Sequence, residues 1–144
     1  MKKSSIEFED IIGRYLNISV ADENYRIYVE EAGKGIPLLC LHTAGSDGRQ
    51  FRHILNDKEI TKNYRVIAFD LPWHGKSNPP EGYELKDYKL TTSLYKQIIM
   101  SFCDNYKLRD PVIMGCSMGG RVVLHLALEH SNYFKAVIAL EGSD

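Results

Sequence analysis

The segment from Pro111 to Glu129 constrains this chain more than any other. An apolar run, Pro111-Val112-Ile113-Met114, leads into Gly115-Cys116-Ser117-Met118-Gly119, and Gly120-Arg121-Val122-Val123-Leu124-His125-Leu126-Ala127-Leu128-Glu129 follows. The run reads as a buried parallel strand and the last stretch as a helix, so the pentapeptide must turn the chain between them. Small residues beside the serine let strand and helix approach closely. Such a turn projects the Ser117 hydroxyl. It also aims the N–H groups and positive dipole end of the helix at a developing oxyanion. With Gly and Ser each near about 7% of residues, chance supplies roughly 0.05 such patterns in a chain of this length.

The rest of the chain supplies a sheet around that turn. Tyr15 to Val20 and Tyr25 to Glu31 alternate apolar and polar residues across Ala21-Asp22-Glu23-Asn24, which predicts a β-hairpin. Gly33-Lys34-Gly35 turns into Pro37-Leu38-Leu39-Cys40-Leu41, a continuous apolar run suited to a strand covered on both faces. Gln50 to Ile60 predicts a short helix, with Phe51, Ile54 and Leu55 on one side. Tyr64 to Phe69 predicts a strand, and a polar, proline-rich loop runs from Asp70 to about Tyr88. From Thr91 to Lys107, Leu94, Ile98, Phe102 and Tyr106 recur every fourth residue, with Tyr95 and Ile99 beside them, as in a helix. Ala136 to Leu140 predicts a last strand. A hairpin followed by alternating strands and helices implies an α/β fold with a mostly parallel sheet.

Composition narrows the function. The chain has 144 residues, 44% hydrophobic and 26% charged, with a formal net charge of −1. That size predicts one soluble globular domain over 1–144, with residues 1–12 as an N-terminal extension. The near-neutral charge gives no case for nucleic acid or an anionic membrane. The basic start, Met1-Lys2-Lys3, runs into Ile6-Glu7-Phe8-Glu9-Asp10 without a signal-peptide core, and no apolar run reaches membrane-spanning length. Cys40, Cys103 and Cys116 are an odd set in apolar contexts, which predicts reduced, buried thiols and a cytoplasmic setting. Cys40 and His42 share a strand face, but no second pair stands in metal-site spacing, so no metal site is predicted. Gly33-Lys34-Gly35 precedes a strand instead of following one, and Leu38 stands where a third glycine would be. A dinucleotide site is therefore not predicted.

Three motifs, in order, resemble those of the α/β-hydrolase fold. Leu39-Cys40-Leu41-His42-Thr43-Ala44-Gly45 is similar to the strand-end histidine motif that shapes the oxyanion hole. Asp70-Leu71-Pro72-Trp73-His74-Gly75-Lys76-Ser77 is similar to the family's loop after the next strand. Gly115-Cys116-Ser117-Met118-Gly119-Gly120 resembles the nucleophile elbow. The resemblance runs from about Tyr15 to the end of the chain and implies an α/β-hydrolase core truncated after its sixth strand. It implies Ser117 as nucleophile and the Met118 N–H as one oxyanion donor. Ala44 is the second donor, ahead of Thr43. His42, Trp73 and His74 shape the site. Two positions depart from the pattern. Thr43 replaces a glycine and is expected to strain the oxyanion loop, because threonine tolerates positive φ poorly. Trp73 replaces a glycine and is expected to set a large ring beside the site.

In this fold the triad runs Ser, then Asp or Glu, then His, so the resemblance places the base and its acid beyond residue 144. His53, His125 and His130 read as packed or solvated, Asp144 as a solvated carboxylate, and Cys116 as a small buried residue. The implied activity is serine-dependent cleavage of an ester or related acyl bond, or of a carbon–carbon bond beside a ketone. Its substrate is a small molecule, and no cofactor is implied. Two other classes stay open: a non-catalytic interaction module on the same fold, and a cofactor-free perhydrolase. The strand at 136–140 is expected to leave an open apolar edge through which the chain self-associates.

Overall fold

The computed structural model describes residues 7–142. Met1 to Ile6, half of the expected N-terminal extension, and Ser143 and Asp144 lie outside that range.

The hairpin forms and is longer than its alternation suggests, β1 spanning Ile12–Val20 and β2 Glu23–Ala32. They pair antiparallel from Ile12↔Glu31 to Val20↔Glu23. Its tip is the two-residue turn Ala21-Asp22, at φ 50° and 62°, the paired positive φ values that match the twist of a tight hairpin. β3 (Ile36–Leu41), β4 (Tyr64–Phe69), β5 (Val112–Cys116) and β6 (Ala136–Leu140) follow. The six strands form one sheet in the order β1-β2-β4-β3-β5-β6. β3 runs parallel to both β4 and β5, β5 parallel to β6, and β2 antiparallel to β4. The fold is the mostly parallel α/β arrangement that the sequence implies.

The helical segments differ more from expectation. The helix expected from Gln50 to Ile60 is a 3-10 turn, Gly48–Phe51, followed by α1 (Arg52–Asn56) and α2 (Lys58–Thr61). Asp57 causes the break. At ψ 113° it leaves helical geometry, and its carboxylate accepts from the N–H groups of Glu59 and Ile60, starting α2 anew. A further 3-10 turn, Tyr83–Leu85, lies inside the expected Asp70–Tyr88 loop. α3 (Thr92–Asn105) is capped by the Thr91 hydroxyl, which accepts from Leu94 N–H at 3.1 Å. α4 spans Met118–Glu129 and begins two residues before the stretch that reads as helical.

α3 and α4 lie on one face of the sheet, where Ile27, Leu39, Ile67, Phe69, Ile98, Phe102, Ile113 and Leu126 form the larger core. Phe51 and Leu55 close the opposite face over Cys40, Val66 and Ala68. After β3 the chain therefore turns to one face, and after the neighbouring β5 it turns to the other. The C-terminal ends of β3 and β5 flank a topological switch point, where open α/β sheets place ligands. On the larger-core side, Glu31 binds the sheet to the end of α3. Its carboxylate accepts from Arg14, from Arg65 at 2.5 Å and from the Tyr106 hydroxyl at 2.9 Å. Burial opposes that charge, but the Arg65 and Tyr106 hydrogen bonds and the nearby Arg14 outweigh it and hold the carboxyl below its ordinary range.

Candidate functional site

Ser117 stands between β5 and α4 at φ 52°, ψ −113°. Outside glycine such a backbone costs about 1–3 kcal/mol and persists only where packing imposes it. Two glycines show what imposes it. A Cβ on Gly115 would lie 2.3 Å from the Gly119 backbone, and one on Gly119 would lie 2.7 Å from the Leu41 carbonyl oxygen. Strand, turn and helix are therefore in backbone contact. Ser117 N–H donates to the Leu140 carbonyl at 2.8 Å and Arg121 N–H to the Ser117 carbonyl at 2.9 Å, which fixes the turn between β6 and α4.

A serine preceding a helix commonly caps it with its side chain. This one makes no capping bond. Ser117 is exposed, and among the described residues no side chain hydrogen-bonds its hydroxyl. Met118 is the first residue of α4, and its N–H belongs to the first-turn donors that the helix cannot satisfy. Cys116, expected buried, is half-buried, because its position ends β5 at the rim. Cys40 and Cys103 are buried, and desolvation pushes each thiol up to about 12.

The loop after β3 approaches the same rim. Thr43 N–H donates to Gln50 Oε1 at 2.9 Å, and Ser46 N–H donates to the Thr43 carbonyl at 3.3 Å. Ala44, at the exposed tip, precedes Gly45 at φ 67°. The sequence places the backbone strain at Thr43. The structure places it at Trp73, φ 70°, while Thr43 is not among the described residues of positive φ. Trp73 occupies the left-handed conformation that the family's glycine would adopt freely.

His42 is wholly buried and spans both loops. Its Nε2 accepts from Leu71 N–H at 3.1 Å, so Nδ1 carries the proton and donates to the Thr43 carbonyl at 2.8 Å. Desolvation pulls its pKa below the ordinary histidine value, with the neighbouring His74 adding to the effect. Both ring nitrogens are thus committed to backbone. His74 Nδ1 donates to the Pro72 carbonyl at 2.9 Å, and its ring lies 5.1 Å from that of His42. The Trp73 ring, half-buried, meets Tyr83 at 5.4 Å and Tyr88 at 5.2 Å. His53 is exposed, and His125 and His130 are half-buried.

Asp70, Ser77 and Gln50 hold these loops, and the sequence reading gave none of them a role. Asp70 Oδ1 accepts from Gly48 N–H at 2.7 Å and Oδ2 from Lys76 N–H at 2.8 Å. The Ser77 hydroxyl donates to the Asp70 carbonyl at 2.6 Å and accepts from Tyr28 N–H at 2.8 Å. Asp70 and Ser77 bracket the second motif, a signal that could have found them; Gln50 carries none. Among the described residues no group of three or more His, Cys, Asp or Glu side chains could hold a metal, and no helix is long and apolar enough to cross a membrane.

Residues 36–144 match the family model of the alpha/beta hydrolase fold. The chain belongs to the α/β-hydrolase fold family. It is 28% identical over 83% of its length to the AB hydrolase superfamily protein YisY of Bacillus subtilis. It is 25% identical over 81% of its length to the pimeloyl-[acyl-carrier protein] methyl ester esterase of Vibrio cholerae. The matched stretch spans 41% of each of these relatives. The epoxide hydrolase VrEH1 of Vigna radiata superposes with a TM-score of 0.73 at 22% identity, over 89% of this chain and 39% of that one, a likeness of fold.

Proposed function

We propose that this chain carries the nucleophile and oxyanion portion of a serine hydrolase that cleaves an ester or related acyl bond of a small molecule. The observation that carries the reading is Ser117: an exposed, uncapped hydroxyl on a strained turn at the N-terminus of a twelve-residue helix. Ser117 Oγ attacks the substrate carbonyl. The Met118 N–H donates to the oxygen that gains charge, and the Ala44 N–H is the second donor. Thr43 is the weaker candidate, since its N–H is engaged by Gln50. A preorganised donor of this kind contributes about 2.7–4 kcal/mol in comparable sites. His42 and His74 position the oxyanion loop, and Trp73 bounds the substrate's path. The esterase named among the relatives supports the acyl-transfer class.

The test is covalent labelling of the complete gene product with a fluorophosphonate, followed by peptide mapping. The label is expected on Ser117, and Ser117→Ala should abolish it. Residues 1–144 alone should turn over p-nitrophenyl esters barely above background, since no described histidine hydrogen-bonds the Ser117 hydroxyl. Rapid hydrolysis by residues 1–144 would place a base among them, with the unengaged Nε2 of His74 the first to examine. Labelling at another residue would end the Ser117 assignment.

A further inference from the structure

One small cavity lies at the rim of the sheet, between the hairpin tip, the loop after β4 and the start of α3. Tyr25, Trp73, Tyr88, Leu90, Leu94 and Ile98 supply its apolar lining, around a volume of about 120 Å³. Four charged residues stand on its margin, Glu23, Lys86, Asp87 and Lys89. Their charges sum to zero, and Glu23 and Lys86 pair with each other at 2.5 Å. The cavity therefore asks no charge of an occupant.

Its position is tied to the elbow by contact. Gly119 lies against the backbone of Leu41 and His42. The His42 ring meets that of His74 at 5.1 Å, His74 meets Tyr88 at 6.3 Å, and Tyr88 meets Trp73 at 5.2 Å. From the nucleophile turn, one backbone contact and then a row of four rings, His42, His74, Tyr88 and Trp73, lead to the cavity. Trp73 holds its place there in a backbone conformation that a bulky side chain disfavours, φ 70°. Strain of that kind collects where a side chain must point in one direction for function.

We propose that this cavity is a subsite for a single-ring apolar group, of phenyl or benzyl size, with Trp73 as its specificity-determining wall. A dry engineered cavity of about 150 Å³ lined by apolar side chains accepts benzene, and this one is of that order. Its Trp and Tyr rings present π faces and edges, against which an aromatic ring packs at centroid separations of about 4.5–7 Å. A methyl group leaves most of that volume empty. That the ring belongs to a substrate rests on the serine-hydrolase reading; that the cavity binds it does not.

Trp73 is the only tryptophan of the chain, so its emission reports the cavity directly. The full chain is titrated with benzyl alcohol, with ethanol as control. A saturable emission change is expected with benzyl alcohol only, and equally in Ser117→Ala. Leu94→Phe, which fills the cavity, should weaken binding at least tenfold while far-UV circular dichroism stays constant. In the complete gene product, kcat/KM for benzyl acetate should exceed that for methyl acetate at least tenfold, and Leu94→Phe should remove the preference. No saturable change, or equal binding by Leu94→Phe, overturns the proposal. If Leu94→Phe does not fold, the Trp73 indole N–H resonance of the unaltered chain decides: saturable movement with benzyl alcohol alone supports the subsite, and an equal or absent response overturns it. Binding without fluorophosphonate labelling of Ser117 would sink the hydrolase reading and leave the subsite standing. Labelling and ester cleavage with neither benzyl binding nor benzyl preference would do the reverse.

Discussion

At the scale of single residues, two side chains carry consequences that their motifs did not reveal. His42 resides in the oxyanion-loop motif, but its function in the structure is to join two backbones while neutral. Protonation would put a second N–H against Leu71 N–H, and desolvation already holds its pKa below 6.5. In the unfolded chain His42 takes up a proton near pH 6.5, whereas in the folded chain it does so only at lower pH. Its contribution is therefore complete above pH 6.5 and declines as pH falls from there to its own folded value. The unfolding free energy from urea titration should be nearly equal at pH 7.5 and 6.5 and lower at pH 5.5, by at most about 1.4 kcal/mol per pH unit for one proton. His42→Asn should flatten the decline between pH 6.5 and 5.5. Trp73 gives a sharper test of strain. Alanine there keeps the left-handed backbone and loses the ring; glycine loses the ring and the strain together. Trp73→Gly should be more stable than Trp73→Ala by about 1 kcal/mol, reversing the usual order of these residues. Equal urea midpoints for the two variants would refute the backbone assignment. Neither property was legible in sequence. The tautomer of His42 is set by the Leu71 N–H in the loop after β4, and the Trp73 ring meets Tyr83 and Tyr88, ten and fifteen residues away.

At the scale of elements, legibility followed apolar continuity and spacing. The strands at 37–41 and 64–69 were readable to within a residue because their apolar runs are buried in the sheet, and the strand at 136–140 was readable from its unbroken apolar run although most of its side chains are exposed. The long helix α3 was readable because its buried side chains recur at helical spacing. The segment 50–60 was misread because Phe51 and Leu55 are both buried, as one amphipathic helix requires, while the break depends on a carboxylate outside that pattern. Asp57 ends one helix and starts the next. Asp57→Ala removes Oδ1, which accepts at 2.9 and 3.1 Å from two first-turn donors, and should cost about 1 kcal/mol. Because α2 has only four residues, the loss should also show as faster amide exchange at Glu59 and Ile60. Unchanged exchange there would mean that packing, not the cap, holds α2. The start of α4 was misplaced by two residues for a related reason. Met118 and Gly119 read as part of a turn motif, although their backbone is already helical at the strained serine.

At the scale of the whole molecule, the sheet has two unlike edges. β1 is tied to its partner along nine residue pairs, and its outer face is largely polar or aromatic. β6 is five residues of Ala, Val, Ile and Leu, and among the described residues it pairs with β5 alone. Ile138 is 41% exposed and Leu140 44%, and on α4 Leu128 is 84% exposed. These apolar side chains accompany the unpaired N–H and C=O groups along the outer side of β6. Such an edge is a template for another strand, and exposed apolar side chains add a driving force of about 25 cal/mol per Å² buried. We propose that the chain, expressed as residues 1–144, self-associates through this edge. Sedimentation velocity at micromolar concentration should then show dimers or larger species. Ile138→Lys together with Leu140→Lys should return it toward monomer, since charged side chains on an edge strand disfavour pairing. The substitutions lie on exposed positions, so cooperative unfolding should persist and separate loss of association from loss of folding. A monodisperse monomer of the unaltered chain would refute the edge as an interface. Association untouched by the two lysines would instead move the interface to another surface.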